Sequence, residues 1–105
     1  MAKAKFSLSI APTFKRKVSI PVPGDKPSDV EFIFKHRTRE SFKTFVEGLT
    51  GREDAEVIMD IASGWDLDDA FDADSIEELT QNYIGSARAI IETYINELTN
   101  ARVGN

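Results

Sequence analysis

A chain of 105 residues with an apolar fraction of 41% suits one modest core and is too short for two. The lack of cysteine excludes disulfides and thiolate metal sites and agrees with a reducing compartment. A formal net charge of -5, with no basic stripe on any helical face, argues against a protein that grips phosphates.

No apolar run is long enough to span a bilayer, and Met1-Ala2-Lys3-Ala4-Lys5 leads into an alternating segment instead of a signal-peptide core. These features predict a soluble intracellular protein with one domain over residues 1–105, mainly strands to residue 37 and mainly helices from residue 38. The charge is unevenly placed: residues 1–50 carry +5 and residues 51–105 carry -10. Such polarity is either neutralised inside the fold or lets one copy meet the next head to tail.

In chain order, Phe6-Ser7-Leu8-Ser9-Ile10 alternates with the period of two expected of a half-buried strand. Pro12 interrupts it, and the pattern resumes from Phe14, with Val18, Ile20 and Val22 on one face. Pro21 donates no ladder hydrogen bond, so this second strand lies at an edge or ends there. The turn formers Pro23-Gly24-Asp25-Lys26-Pro27-Ser28 precede residues 29–35, where Val30, Phe32 and Phe34 share a face. An antiparallel hairpin follows from the two runs and the loop between them. The basic run Lys15-Arg16-Lys17 also discourages edge-to-edge aggregation.

Thr38 is the expected N-cap of a helix that buries Phe42, Phe45, Val46 and Leu49. Thr50-Gly51-Arg52-Glu53 reads as a capping box for a second helix, with Ala55, Val57, Ile58, Ile61 and Ala62 inward and Gly64 as its left-handed stop. The acidic bend from Gly64 to Asp74 separates this helix from the next. Asp66, Asp68, Asp69, Asp72 and Asp74 would repel one another in a helix, while Trp65, Leu67 and Phe71 pin the bend to a core. Ser75-Ile76-Glu77-Glu78 reads as another capping box, with Ile76, Leu79 and Tyr83 buried. Gly85-Ser86 breaks that helix, and a last one over residues 87–101 carries Ala87, Ile90, Ile91, Tyr94, Leu98 and Ala101 as a stripe, widened by Ile84 and Ile95. The expected class is α+β: an N-terminal antiparallel hairpin or three-stranded sheet, then a layer of about four helices.

The chemistry-bearing residues are few. Asp66, Asp68, Asp74 and Glu77 fall at positions 1, 3, 9 and 12 of a calcium loop, but Ala70 and Phe71 stand where a ligand and the turn glycine belong. Helix capping and a solvated acidic face account for the same carboxylates. His36 is the lone histidine, between Lys35 and Arg37, and there is no catalytic triad, no Gly-x-Ser-x-Gly and no phosphate loop. No enzyme, cofactor or metal centre is predicted. Trp65, Tyr83 and Tyr94 read as core aromatics before they read as a ligand cage. If the stripe is wider than the sheet, Ile84, Ile91, Ile95 and Leu98 remain available to a partner helix.

Several runs resemble the tail assembly chaperones of long-tailed bacteriophages and prophages. They are Ile20-Pro21-Val22-Pro23-Gly24, Val30-Glu31-Phe32-Ile33-Phe34-Lys35-His36-Arg37-Thr38, Gly64-Trp65-Asp66, Asn82-Tyr83-Ile84-Gly85 and Ala101-Arg102-Val103-Gly104-Asn105. Ile84 stands where the resemblance has a proline. The resemblance implies a non-catalytic protein of the host cytoplasm, absent from the mature virion, that holds the tape measure protein soluble while the tail tube assembles. It also implies a possible frameshifted longer product that meets the tail tube protein. Two other readings stay open: an acidic DNA mimic that blocks a nucleic-acid-binding protein through residues 66–78, and a degenerate calcium module.

Overall fold

The computed structural model describes residues 6–99. Strand β1 (Thr13–Ile20) and strand β2 (Ser28–Lys35) form the hairpin, with Thr13 opposite Lys35 and Ile20 opposite Ser28. The connection is built around Val22-Pro23-Gly24-Asp25, closed by the Asp25 N–H donating to the Val22 carbonyl at 3.0 Å. Proline second and a glycine at φ +77° third suit a type II turn, since an L side chain is strained at that φ. Val18, Ile20, Val30, Phe32 and Phe34 all point to one side and are buried. Lys15, Lys17, Ser19 and Asp29 alternate to the uncovered side, as a sheet with one solvated face requires.

Helix α1 (Arg39–Glu47) begins at Thr38, whose Oγ1 accepts from the Ser41 N–H at 3.1 Å. It buries Phe45 and half-buries Phe42, whereas Val46 is exposed, contrary to the expectation from periodicity. Nine residues make a short helix that leans on the core at one aromatic position instead of along a full stripe. Helix α2 (Asp54–Ile61) buries Val57, Ile58 and Ile61. Its N-cap is Glu53 without a side-chain bond, so the expected capping box at Thr50 does not form. Residues 50 and 51 lie instead in a turn closed by Arg52 N–H to the Leu49 carbonyl, with Gly51 at φ +85°.

No loop follows α2. Ala62 turns extended at φ -134° and starts strand β3 (Ala62–Trp65), which pairs antiparallel with β2 and completes a three-stranded sheet in the order β1-β2-β3. Gly64 is therefore a strand residue, not a helix stop. An added Cβ there would stand 3.2 Å from Ile33 Cδ1, so glycine suits this close approach. With the flank of β2 taken by β3, residues 6–10 form no strand, despite their alternation. The last cross-strand contact at that end is His36 N–H to the Pro12 carbonyl, 2.8 Å.

Helix α3 (Ala73–Asn82) starts before the expected box at Ser75, because Asp72 Oδ1 accepts from the Ser75 N–H at 2.8 Å. It buries Ile76 and half-buries Leu79, while Tyr83 just past its end is 37% exposed and not on the buried side. Helix α4 (Ser86–Thr99) lies against β1 and buries Ala87, Ile90 and Tyr94. Residues 1–5 and 100–105, including the expected end of the last helix at Ala101 and the closing motif, lie outside the described residues. The observed class is α+β, a three-stranded antiparallel sheet with four helices.

An aromatic chain crosses these layers. Phe45, Tyr94, Phe34, Phe32, Trp65 and Phe71 follow one another at ring-centroid distances of 5.8, 5.4, 5.7, 5.8 and 5.1 Å. Edge-on and tilted contacts of this kind add about 0.5–1.5 kcal/mol each beyond area burial. They tie α1 at one end to the acidic bend at the other.

Candidate partner-binding surface

Side chains that fold inward identify, by elimination, what is left for a partner. The charge division between the halves is neutralised in part across the fold. Arg16 pairs with Glu97 at 3.0 Å, fastening β1 to α4, and Arg37 pairs with Asp60 at 3.0 Å. Arg52 reaches the other oxygen of Asp60 at 3.1 Å. Burial opposes ionisation of Asp60, but these guanidinium groups outweigh it and hold its carboxyl below the usual carboxylate range. Arg37 also lies 4.5 Å from the Phe45 ring centre and donates to the Tyr94 hydroxyl at 2.9 Å. Burial pushes the Tyr94 phenol up, and Arg37 offsets only part of that. This network is structural, and no substrate-sized opening converges on it with a nucleophile.

The acidic bend is pinned at both edges. The Asp66 N–H donates to the Glu31 carbonyl at 3.0 Å, and its Oδ1 accepts from the Glu31 N–H at 3.0 Å, extending the β2–β3 ladder with a side chain. Trp65 Nε1 donates to the Asp69 carbonyl at 2.8 Å. Asp72 caps α3, and Glu77 accepts from Gln81. The four carboxylates of the calcium-like spacing are thus spread between a strand end and a helix. Among the described residues no three His, Asp or Glu side chains gather where a metal ion would sit. Because Asp66 and Asp72 are bound to backbone, the bend does not present an even run of free carboxylates.

The four residues read from sequence as a partner stripe separate into two environments. Ile84 sits in the turn between α3 and α4 and is 87% exposed. Ile91, Ile95 and Leu98 lie on α4 and are half-buried, with Ile91 and Leu98 packed against the core. The turn carrying Ile84 is held close to the hairpin: a Cβ at Gly85 would meet Pro21 Cγ at 3.1 Å.

Next to that turn the structure opens an apolar groove of about 350 Å³, which periodicity alone does not reveal. Val22, Val30, Trp65, Leu67, Leu79 and Tyr83 contribute to its lining, and Asp69 and Glu78 bring negative charge to it. Leu67 and Tyr83 are each 37% exposed. The three aromatics considered as a cage part company, since Trp65 and Tyr83 line the groove and Tyr94 is wholly enclosed in the core. A useful sequence signal was Leu67, a large apolar residue among aspartates in a segment too polar to be core.

A further set of exposed apolar residues lies at the far end of the hairpin. Phe6, Leu8 and Ile10 are 83%, 96% and 66% exposed. No helix among the described residues is long and apolar enough to cross a membrane. The molecule thus keeps several large apolar side chains in water at two separated places, a surface made to meet other protein.

A family model described as phage tail assembly chaperone matches residues 1–105. No curated protein and no solved structure matches the chain. With the match running from the first residue to the last, over a fold that holds apolar side chains out to solvent, the chain belongs to the phage tail assembly chaperone family.

Proposed function

We propose that this chain binds the tape measure protein and keeps it soluble while the tail tube assembles around it, without catalysis, in the host cytoplasm and outside the finished virion. The observation that carries the reading is Ile84, 87% exposed on a turn held against the hairpin, with the half-buried Ile91, Ile95 and Leu98 continuing along α4. A long, largely helical ruler exposes apolar seams until tube subunits cover them, and an apolar strip on a small acidic protein masks such seams while its charge keeps the complex dispersed. A frameshifted longer product would bring the tail tube protein to the same complex.

The test is co-expression with the tape measure protein of the same phage, scored by its soluble fraction. The reading expects a large gain with the wild-type chain and its loss with Ile84→Glu. An equally insoluble tape measure protein with and without the wild-type chain would overturn it.

A further inference from the structure

We propose that the segment around Phe6, Leu8 and Ile10 of one copy seats in the apolar groove of a second copy, joining the chains head to tail. The segment alternates, so its three apolar side chains stand on one edge when extended, about 6.6 Å from one to the next. All three are far more exposed than a stable monomer requires, and no strand edge receives them. The groove, near the small end of the about 300–1,000 Å³ range for ligand pockets, suits a short peptide better than a helix.

Charge points to the same pairing. Lys3 and Lys5 precede the segment and Lys15, Arg16 and Lys17 follow it, with no acidic residue before Asp25. The groove has Asp69 and Glu78 in its lining, and Asp66, Asp68, Asp72 and Asp74 belong to the bend beside it. A positive donor end and a negative acceptor end favour each other and disfavour two like ends meeting.

The hairpin decides between the molecule's own groove and that of a neighbour. The segment joins β1 at Thr13, whereas the groove lies at the Ile20 and Ser28 end. The eight residues of β1 place those ends roughly 23 Å apart. The three residues from Ile10 to Thr13 span at most about 11 Å, and the five from Leu8 at most about 18 Å. Ile10 and Leu8 therefore cannot reach their own groove. Donor and acceptor at opposite ends make a heterologous contact, which propagates into rings or open chains.

The experiment is sedimentation equilibrium on the purified full chain alone, so it does not depend on tape measure capture. The wild type is expected to gain mass with concentration and to lose association as salt rises. Leu8→Asp in the segment and Leu67→Glu at the groove should each weaken self-association by at least about tenfold, each alone remaining monomeric where the wild type does not. Mixing the two should yield a one-to-one dimer that grows no further, since one donor and one acceptor survive between them. Circular dichroism of each variant checks folding, and Glu78→Lys provides a second groove variant if Leu67→Glu unfolds. A wild type that stays monomeric at every concentration, variants that associate like the wild type, or a mixture that forms no dimer would each overturn the proposal. So would a monomeric wild type whose Leu67→Glu variant loses tape measure solubilisation, because the groove would then belong to that partner.

Discussion

The Tyr94 hydroxyl donates to the Lys35 carbonyl at 2.8 Å, joining the last helix to the end of the central strand across 59 residues of sequence. The same oxygen accepts from Arg37, so one buried atom serves both a backbone acceptor and a guanidinium donor. Tyr94→Phe keeps the ring contacts with Phe14, Phe34 and Phe45 but leaves both partners without it. Urea unfolding should show a loss of about 1–3 kcal/mol, the cost of stranding part-buried polar groups.

The Asp60 carboxyl, held below the usual range despite burial, gives the fold an acid-sensitive element. A depressed carboxylate means that the unfolded chain binds more protons than the folded one at acidic pH. Its stabilisation is present above the unfolded value and is lost as pH falls through the folded value. Asp60→Asn should therefore cost on the order of 1 kcal/mol at neutral pH, discounted because the side chain is 36% exposed, and almost nothing in strong acid. Melting temperatures of both proteins from pH 7 down to pH 2 test whether the gap closes in that direction.

Trp65 is half-buried, meeting Phe32 and Phe71 edge-on and holding the Asp69 carbonyl. Trp65→Ala should cost about 2–3 kcal/mol, below the about 3–5 kcal/mol of a fully enclosed aromatic, because one side of the ring already faces the groove. Phe71 and Leu67 would lose their anchor, so protease cleavage should appear first within residues 66–72. An unchanged melting temperature would mean that the bend is held by its aspartates alone.

Ile84 and Ile91 separate binding from folding. Ile84→Glu should stay within about 0.5 kcal/mol of the wild type, as for an exposed side chain, yet reduce tape measure solubilisation. Ile91→Glu puts a charge on a side chain packed against the core and should lower the melting temperature measurably by itself. Ile91 is therefore the poorer probe, although periodicity alone placed it in the same stripe as Ile84.

Adding calcium should leave the melting temperature unmoved, since a ligand that binds the folded chain would raise it. The carboxylates at the calcium-like spacing are divided between the β2–β3 ladder and α3. A rise with calcium but not with sodium would restore the metal reading.

Much of the architecture was legible along the chain because it rests on local rules. Alternation marked the faces of β1 and β2, Pro21 and Gly24 marked the hairpin turn, and Thr38 capped α1. The inward positions of α2 and the Ala87, Ile90 and Tyr94 stripe of α4 followed from helical spacing. The likeness to tail assembly chaperones was legible in short ordered motifs spread over most of the chain.

What sequence left undecided depends on which edges and faces find partners. Residues 6–10 have a strand's pattern and remain outside the sheet, whereas Ala62–Trp65, with a glycine and too few residues to show a period, is the strand that pairs with β2. A strand exists only where a neighbour completes its hydrogen bonds, so alternation was necessary for neither outcome. The same holds for the surface: Tyr83 and Tyr94 share an amphipathic context, and only the packing of α3 and α4 leaves one at the groove and encloses the other. Local chemistry determined the elements, and the competition of those elements for one small core decided which apolar side chains stayed in water.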